Sequence, residues 1–164
     1  MDITIPINGI RLNIRTAVII EIEIEIENWY IFEKDKRNRF YWVVGGRIKI
    51  NENSIEAAKR EIKEELGIEL EKIDLKAIVE SFFELDNENF HEICFYYTGK
   101  YVDKLELSEN FFIFSKDEME KINIQPKIIY DIINSKNSEI IHLIINEWKF
   151  KYINKAIFTS PNKR

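Results

Sequence analysis

The chain has 164 residues, of which 45% are hydrophobic and 32% are charged. This length and composition predict one globular domain with a sizeable core and exclude a disordered chain. The formal net charge of −5 argues against nonspecific binding of nucleic acid, which usually requires a basic surface. Two basic segments, 34–39 and 149 onward, are interpreted as a solvated turn and a solvated tail.

The cysteine content and the N-terminus bear on the cellular compartment. Cys94 is the single cysteine, so no internal disulfide is expected, and this suits a reducing cytoplasm. The first residues, MDITIPINGIRLNIR, lack the basic start and apolar run of a secretory signal. No uninterrupted apolar stretch approaches the roughly 18 residues that a membrane span requires. We therefore expect a soluble cytoplasmic protein that associates with neither membranes nor nucleic acid.

The first third of the chain predicts strands. Between Asn13 and Phe32, isoleucines at 20, 22, 24 and 26 alternate with glutamates at 21, 23, 25 and 27. This period of two places isoleucines on one face and carboxylates on a solvated face, which is a commoner arrangement than a metal site. A turn at Glu27–Asn28 and a second strand over Trp29–Glu33 follow. A short buried strand over Phe40–Val44 then leads into a glycine turn.

The segment after the two glycines predicts a capped helix. Asn53, with Glu56 three residues later, resembles a capping box, and Gly67 is placed to end the helix. The helical periodicity puts four apolar side chains on one stripe facing the core: Ile55, Ala58, Ile62 and Leu66.

Three carboxylates share an adjacent face of this helix. Glu61, Glu64 and Glu65 are three or four positions apart or neighbours, and like charges at this spacing repel. Lys59 and Lys63 lie towards another side and do not relieve the repulsion. A hard cation would offset it, because Mg²⁺ binds one or two carboxylates together with substrate phosphates and water. The segment therefore predicts a divalent-metal site for cleaving a diphosphate.

The rest of the chain predicts one continuing α+β domain without repeats or linkers. The pattern gives, in order, strands over Leu75–Leu85 and Phe90–Tyr101 joined through 86–89, a strand over Phe111–Phe114, a helix over Lys116–Ile122, a helix from Pro126 and a strand over Ile140–Ile145. Ser115 and Glu118 form a second capping box. The helix from Pro126 should bury isoleucines 128, 129, 132 and 133.

The central segment resembles the signature of the Nudix hydrolase (MutT-like) family. Gly46, five residues, Glu52, seven residues and then Arg60–Ile68, reading REIKEELGI, match every fixed position of that signature. The resemblance extends more loosely over residues 13–147, approximately. We predict a single domain spanning 1–164, in which 148–164 form a C-terminal tail. It implies an α/β/α sandwich, an α+β fold with a mixed β-sheet between helices. Val44 departs from the proline that the family often has before its two glycines.

The resemblance also implies roles for the signature residues. Arg60 and Glu52 would orient the carboxylates, since a guanidinium makes a fixed two-pronged bond to a carboxylate. Gly46 would let the backbone approach the substrate. The ligands of Mg²⁺ or Mn²⁺ would be three glutamates and a backbone carbonyl: Glu61, Glu64, Glu65 and that of Gly45.

The resemblance leaves the general base and the phosphate contacts open. Family members differ over which glutamate takes the proton from water. Glu61 is favoured here, and Glu109 and Glu92 are the alternatives on later segments. Arg47 and Arg15 are candidates for binding substrate phosphates, against an equal expectation that they are ordinary surface arginines. His91 and Glu92 are otherwise interpreted as a surface or packing pair.

The implied reaction is hydrolysis of a nucleoside diphosphate derivative, a small-molecule partner. Nucleotide sugars or ADP-ribose-like compounds come first, and nucleoside triphosphates, including oxidised ones, follow. The alternative is a catalytically silent Nudix-fold module that binds a nucleotide, but such a module is expected to lose signature carboxylates. Aromatic residues that could stack on a base are more often core residues: Tyr41, Trp42, Phe83 and Phe90. Many relatives pair as homodimers, and no segment here identifies an interface.

Overall fold

The computed structural model describes residues 1–37, 39–135 and 139–147. This part of the chain forms one mixed sheet of nine strands and three helices. The strands are β1 (Thr4–Ile7), β2 (Ile10–Ile24), β3 (Glu27–Lys34), β4 (Tyr41–Trp42), β5 (Val44–Arg47), β6 (Ile73–Leu85), β7 (Glu88–Tyr101), β8 (Phe111–Ser115) and β9 (Ile141–Asn146). The helices are α1 (Ser54–Leu66), α2 (Lys116–Met119) and α3 (Ile128–Asn134). None of the helices described is long and apolar enough to cross a membrane.

The sheet is organised around β2, the longest strand. Its 15 residues pair antiparallel with β1, β3 and β5 and parallel with β7, from Ile10↔Asn89 to Ile22↔Tyr101. The main strand order is β4-β3-β2-β7-β6-β9, and β8 pairs with β3. Since β6 pairs antiparallel with β7 and parallel with β9, the sheet is mixed, as predicted.

The two faces of the sheet carry separate apolar cores. Because side chains alternate along a strand, Val18 of β2 packs with Ile62 of α1 on one face. The neighbouring Ile19 packs on the opposite face, where Ile129 of α3 belongs to the same buried cluster. Helices on both faces of a mixed sheet make the α/β/α sandwich that was predicted.

The turn between the first two long strands was predicted in the wrong place. It lies at Glu25–Ile26, because Ile24 pairs with Glu27, and Glu25 has a left-handed φ of +57°. The alternation of buried and exposed side chains therefore ends at the turn, where Ile26 is 95% exposed and does not face the core. The alternating sequence of isoleucine and glutamate continues through the turn, so periodicity alone could not locate it. The short N-terminal strand β1 was not predicted.

The predicted strand over 40–44 is two strands. Tyr41 and Trp42 pair with β3, whereas Val44 pairs with Val18 of β2, so the chain changes partners at Val43. The glycines after it lie inside β5 and not in a turn, which corrects a second expectation. Both errors have one cause, because pairing partners depend on the assembled sheet and not on the local sequence.

The second half of the chain follows the predicted order with small changes. The hairpin between β6 and β7 has a two-residue turn at Asp86–Asn87, both with positive φ, rather than a loop over 86–89. Helix α2 ends at Met119 and not at residue 122, and α3 begins at Ile128, two residues after Pro126. Isoleucines 128, 129 and 132 are buried, and 133 is partly buried. The predicted tail, 148–164, lies outside the described residues.

Candidate active site

Helix α1 begins and ends as its sequence predicts. The Asn53 side chain accepts from the backbone N–H of Glu56 at 2.9 Å, and the Glu56 carboxylate accepts from the backbone N–H of Asn53 at 3.0 Å. Gly67 ends the helix with a φ of +68°. One predicted core position is wrong: Ile55 is 38% exposed, and Ala57 is fully buried in its place. The helix is therefore turned slightly from the predicted stripe, with Ala57, Ala58 and Ile62 on the sheet.

Arg60 and Glu52 form a two-pronged ion pair. Arg60 Nε donates to Glu52 Oε1 at 2.7 Å, and Arg60 Nη2 donates to Glu52 Oε2 at 2.9 Å. Glu52 also accepts from the backbone N–H of Lys49 at 2.9 Å, and Arg60 Nη2 donates to the carbonyl of Arg47 at 3.1 Å. The hydrogen bond from Arg60 lowers the pKa of Glu52 to about 2, against the opposing effect of burial. This pair fixes the guanidinium beside the other carboxylates of the helix.

The remaining guanidinium nitrogen reaches two carboxylates. Arg60 Nη1 donates to Glu61 Oε1 at 2.6 Å and to Glu64 Oε2 at 3.1 Å. Arg60 thus binds one carboxylate oxygen of Glu61 and one of Glu64. Among the described residues, no group of three acidic, histidine or cysteine side chains is arranged to hold a metal ion as it stands. The second oxygens of Glu61 and Glu64 accept no hydrogen bond from Arg60. Binding a cation would draw on these oxygens or turn the carboxylates from the guanidinium.

Glu65 is the signature carboxylate whose pKa is raised by its surroundings. Burial, followed by the charges of Glu33 and Glu61, raises the pKa of Glu65 to about 7. A backbone hydrogen bond from Gly45 and the charge of Arg15 act in the opposite direction. Its Oε2 atom is buried and has no hydrogen-bond partner among the described residues. A buried oxygen without a donor, crowded by like charges, fits a hard divalent cation, so the donor set suits Mg²⁺ or Mn²⁺.

The two glycines of β5 bring its backbone against two neighbours. A Cβ at Gly46 would lie 2.2 Å from Oε1 of Glu61, so this glycine makes room for that carboxylate. A Cβ at Gly45 would lie 2.3 Å from the carbonyl oxygen of Thr16, on β2. Gly45 faces Glu65 through its backbone N–H. The predicted use of its carbonyl as a metal ligand stays a prediction.

A cavity of about 500 Å³ is lined by residues such as Ala17, Cys94 and Tyr96 of the cluster under α3, so it lies on the sheet face opposite α1. Arg15 and Glu92 lie on its floor, with Nη1 and Oε2 3.7 Å apart. The Nε of Arg15 is buried without an acceptor among the described residues. Arg47 is the register partner of Arg15 in β5, and its exposed side chain is 3.9 Å from Asp2. The structure thus brings Arg15 and Glu92 together in the cavity and leaves Arg47 at the surface.

Glu109 is a predicted candidate on a loop, and Glu33 is a neighbour of Glu65 that the sequence did not indicate. Glu109 is exposed in the loop before β8, and its role as an alternative base stays a prediction. Glu33 was not predicted as a site residue, although its charge raises the pKa of Glu65. It accepts a hydrogen bond of 2.6 Å from Trp42 Nε1. Strand alternation could have placed Glu33 on β3, but nothing in the sequence links it to α1.

The NUDIX domain model matches residues 26–130, which include the whole signature. The chain therefore belongs to the Nudix family, whose pyrophosphohydrolases act on phosphoric anhydrides. A comparison with curated protein sequences finds no match.

Solved structures agree on the fold. The mutator MutT protein from Bacillus halodurans superposes with a TM-score of 0.67 and 16% identity, over 82% of this chain and 89% of that one. The Ap4A hydrolase of C. elegans gives 0.58 and 16%, over 74% and 93%. The NUDIX domain of Shewanella oneidensis NrtR, crystallised with ADP ribose, gives 0.61 and 8%, over 74% and 86%. At these identities the likeness shows the fold alone.

Proposed function

We propose that this protein is a Mg²⁺-dependent hydrolase, also served by Mn²⁺, that cleaves the diphosphate linkage of a nucleoside diphosphate derivative. Nucleotide sugars and ADP-ribose-like compounds are the first candidates, and nucleoside triphosphates, including oxidised ones, are the second. Similar folds belong to an Ap4A hydrolase and to a domain crystallised with ADP ribose, which supports a nucleotide substrate. The buried, reduced Cys94 suits action in the cytoplasm.

One observation carries this proposal: the unpaired, buried oxygen of Glu65 lies within a group of signature carboxylates. A purely structural acidic helix would leave its carboxylates solvated or paired with lysines, as Glu64 partly is, with its Oε1 3.8 Å from Lys49 Nζ. In the described part of the chain, the buried Oε2 of Glu65 has neither water access nor a lysine. Arg60 holds Glu61 and Glu64 together, and Gly46 leaves space for Glu61. The arrangement keeps several carboxylate oxygens on one side of α1, where a cation and phosphates would meet.

In this proposal the residues of the site divide the work. Glu61, Glu64 and Glu65 would hold the metal, which when bound neutralises phosphate charge and makes water more acidic. Arg60, fixed by Glu52, orients the carboxylates. Glu61 is the proposed general base that takes a proton from the attacking water.

Arg15 is the basic side chain best placed for the substrate. It lies on the cavity floor with a free Nε, whereas Arg47 lies at the exposed edge. We therefore propose Arg15 as the primary phosphate contact and Arg47 as an outer one.

The test is hydrolysis of a panel of nucleoside diphosphate derivatives with Mg²⁺ or Mn²⁺. Wild type should release product, and Glu64→Gln and Glu65→Gln should lower the rate at least about 100-fold, because losing a ligand exceeds the 10–100-fold cost of losing a supporting partner. Glu71→Gln, an exposed glutamate outside the site, is the matched control. Circular dichroism should show the same fold for all three variants.

Two results would change the proposal. If the wild type binds nucleotides but releases no product with either metal, the protein is a silent nucleotide-binding module. If Glu61→Gln retains a near-normal rate, the general base lies elsewhere. In that case Glu92→Gln is the next variant, because Glu92 lines the cavity, and Glu109→Gln follows it.

A further inference from the structure

The cavity on the sheet face opposite α1 has an aromatic wall. Trp42 of β4 and Phe40 both line it, with their ring centroids 5.3 Å apart and their ring planes at 63° in an edge-to-face contact. Phe83 of β6 lies in the lining as well. Arg15, on the floor, is the register partner of Arg47 on β5, and the backbone carbonyl of Arg47 accepts a hydrogen bond from Arg60 of α1. The cavity floor is therefore one strand away from the site on α1.

The hydrogen-bonding capacity of Trp42 is already used. Its indole Nε1 donates to Glu33 Oε2 at 2.6 Å, and Glu33 is also the register partner of Trp42 across β3 and β4. An indole has a single polar donor, so what Trp42 offers to the cavity is apolar ring surface. Such a surface suits contact with a flat aromatic ring and not a polar contact.

The charges in the cavity argue against a phosphate at this wall. Three carboxylates, Glu84, Glu92 and Glu147, face two cations, Arg15 and Lys127. An excess of negative charge repels a phosphate and tolerates a neutral ring. The phosphates of a substrate would then lie towards Arg15 and α1, and its uncharged end would lie against Trp42.

We propose that Trp42, held in place by Glu33, is the platform on which the aromatic base of the substrate stacks. The inference rests on the proposed function and deepens it, because it selects diphosphates that carry a base over diphosphates that carry none. Glu33 acts through Trp42 and is a positioning residue. Both residues lie outside the family signature.

Metal-free binding tests this platform separately from hydrolysis. AMP, GMP and ribose 5-phosphate are titrated into the full chain without metal. Wild type should bind the two nucleotides about tenfold more tightly than ribose 5-phosphate, because stacking of a base on an aromatic ring is favourable. Trp42→Leu should lose this preference, and Trp42→Phe, which keeps a ring, should retain most of it.

Trp29→Leu is the matched control. Trp29 is on β3 and pairs with Ile22 and Ser115, outside the cavity lining, so its loss should leave the preference unchanged. The proposal is wrong if wild type binds ribose 5-phosphate as well as AMP, or if Trp42→Leu keeps the preference while folded by circular dichroism. Base-dependent binding without any hydrolysis would instead contradict the proposed function and leave the platform intact.

Glu33 is tested by two substitutions with different predicted results. Glu33→Gln keeps an oxygen that accepts from the indole N–H, whereas Glu33→Ala removes it. Glu33→Ala should reduce the preference for AMP over ribose 5-phosphate several-fold, and Glu33→Gln should restore most of it. Equal preferences in the wild type and Glu33→Ala would show that Glu33 does not position Trp42.

Discussion

At Gly45 and Gly46 the backbone of β5 passes close to two different neighbours. The space beside Gly46 is filled by the end of a flexible side chain, that of Glu61, whereas the space beside Gly45 is filled by the backbone of Thr16 and Ala17. A side chain can turn away at little cost, but a paired strand cannot. Two adjacent glycines therefore have different consequences, one for the carboxylate site and one for the sheet.

Alanine substitutions should separate these two roles. Gly46→Ala should retain the fold but displace Glu61, lowering the rate of diphosphate hydrolysis at least about tenfold. Gly45→Ala should destabilise the protein by about 1–3 kcal/mol or more, the usual cost of overpacking. Thermal unfolding and turnover are measured for both. A Gly46→Ala variant that loses as much stability as Gly45→Ala would contradict this distinction.

The ion pair of Glu52 and Arg60 connects two elements, the loop after β5 and α1. The Glu52 carboxylate accepts two hydrogen bonds from Arg60 and one from the backbone N–H of Lys49. The resulting folded-state pKa of about 2 lies below the ordinary value of 4.5. Glu52 therefore stabilises the fold fully above pH 4.5, and this contribution is lost as the pH falls towards 2.

Glu52→Gln should show this dependence on pH. At pH 7 the variant should be less stable than the wild type by about 1–3 kcal/mol, the range for a hydrogen bond to a charged group. The difference should shrink as the pH is lowered below 4.5, because wild-type Glu52 then becomes protonated on unfolding. Urea unfolding at pH 7, 4 and 3 measures it, with Glu27→Gln, at an exposed position, as the control. A difference that is constant across this range would exclude the ionised carboxylate as its source.

At the scale of the whole molecule, the sheet separates two cores. Ile62 belongs to the cluster under α1, and Ile129 belongs to the cluster under α3 on the opposite face. Both are almost completely buried, at 1% and 0% exposed. Because they share no cluster, changes at these two positions should be energetically independent.

Ile62→Val, Ile129→Val and the double variant test this independence. Each single change should cost about 0.5–1.5 kcal/mol, since it removes one buried methyl group. The double variant should cost their sum within about 0.5 kcal/mol. Denaturant unfolding of the four proteins gives the values. A larger coupling would mean that the sheet transmits packing strain between its faces.

Features set by short-range sequence were predicted well. The capping box of Asn53 and Glu56, and the end of the helix at Gly67, depend on neighbours a few residues apart. The signature carboxylates followed from the same local spacing. The fold class followed from the order of strands and helices together with the family resemblance.

Features set by distant pairing were not predicted. The split between β4 and β5 depends on which strands accept them, and the turn at Glu25–Ile26 interrupts a pattern that continues in the sequence. The hydrogen bond between Glu33 and Trp42 forms only when β3 and β4 pair, and Glu33 comes close to Glu65 only when the sheet packs against α1. No spacing within the chain encodes these contacts.

The parallel pairing of β2 with β7 also has a consequence for synthesis of the chain. β2 is complete at residue 24, but its partner is complete only at residue 101. At roughly 5–20 residues per second, a ribosome needs about 4 to 15 s to make the intervening segment. During that time one edge of an isoleucine-rich strand lacks its partner in the nascent chain. Unpaired apolar edges promote aggregation, so this interval is when a chaperone would protect the protein most.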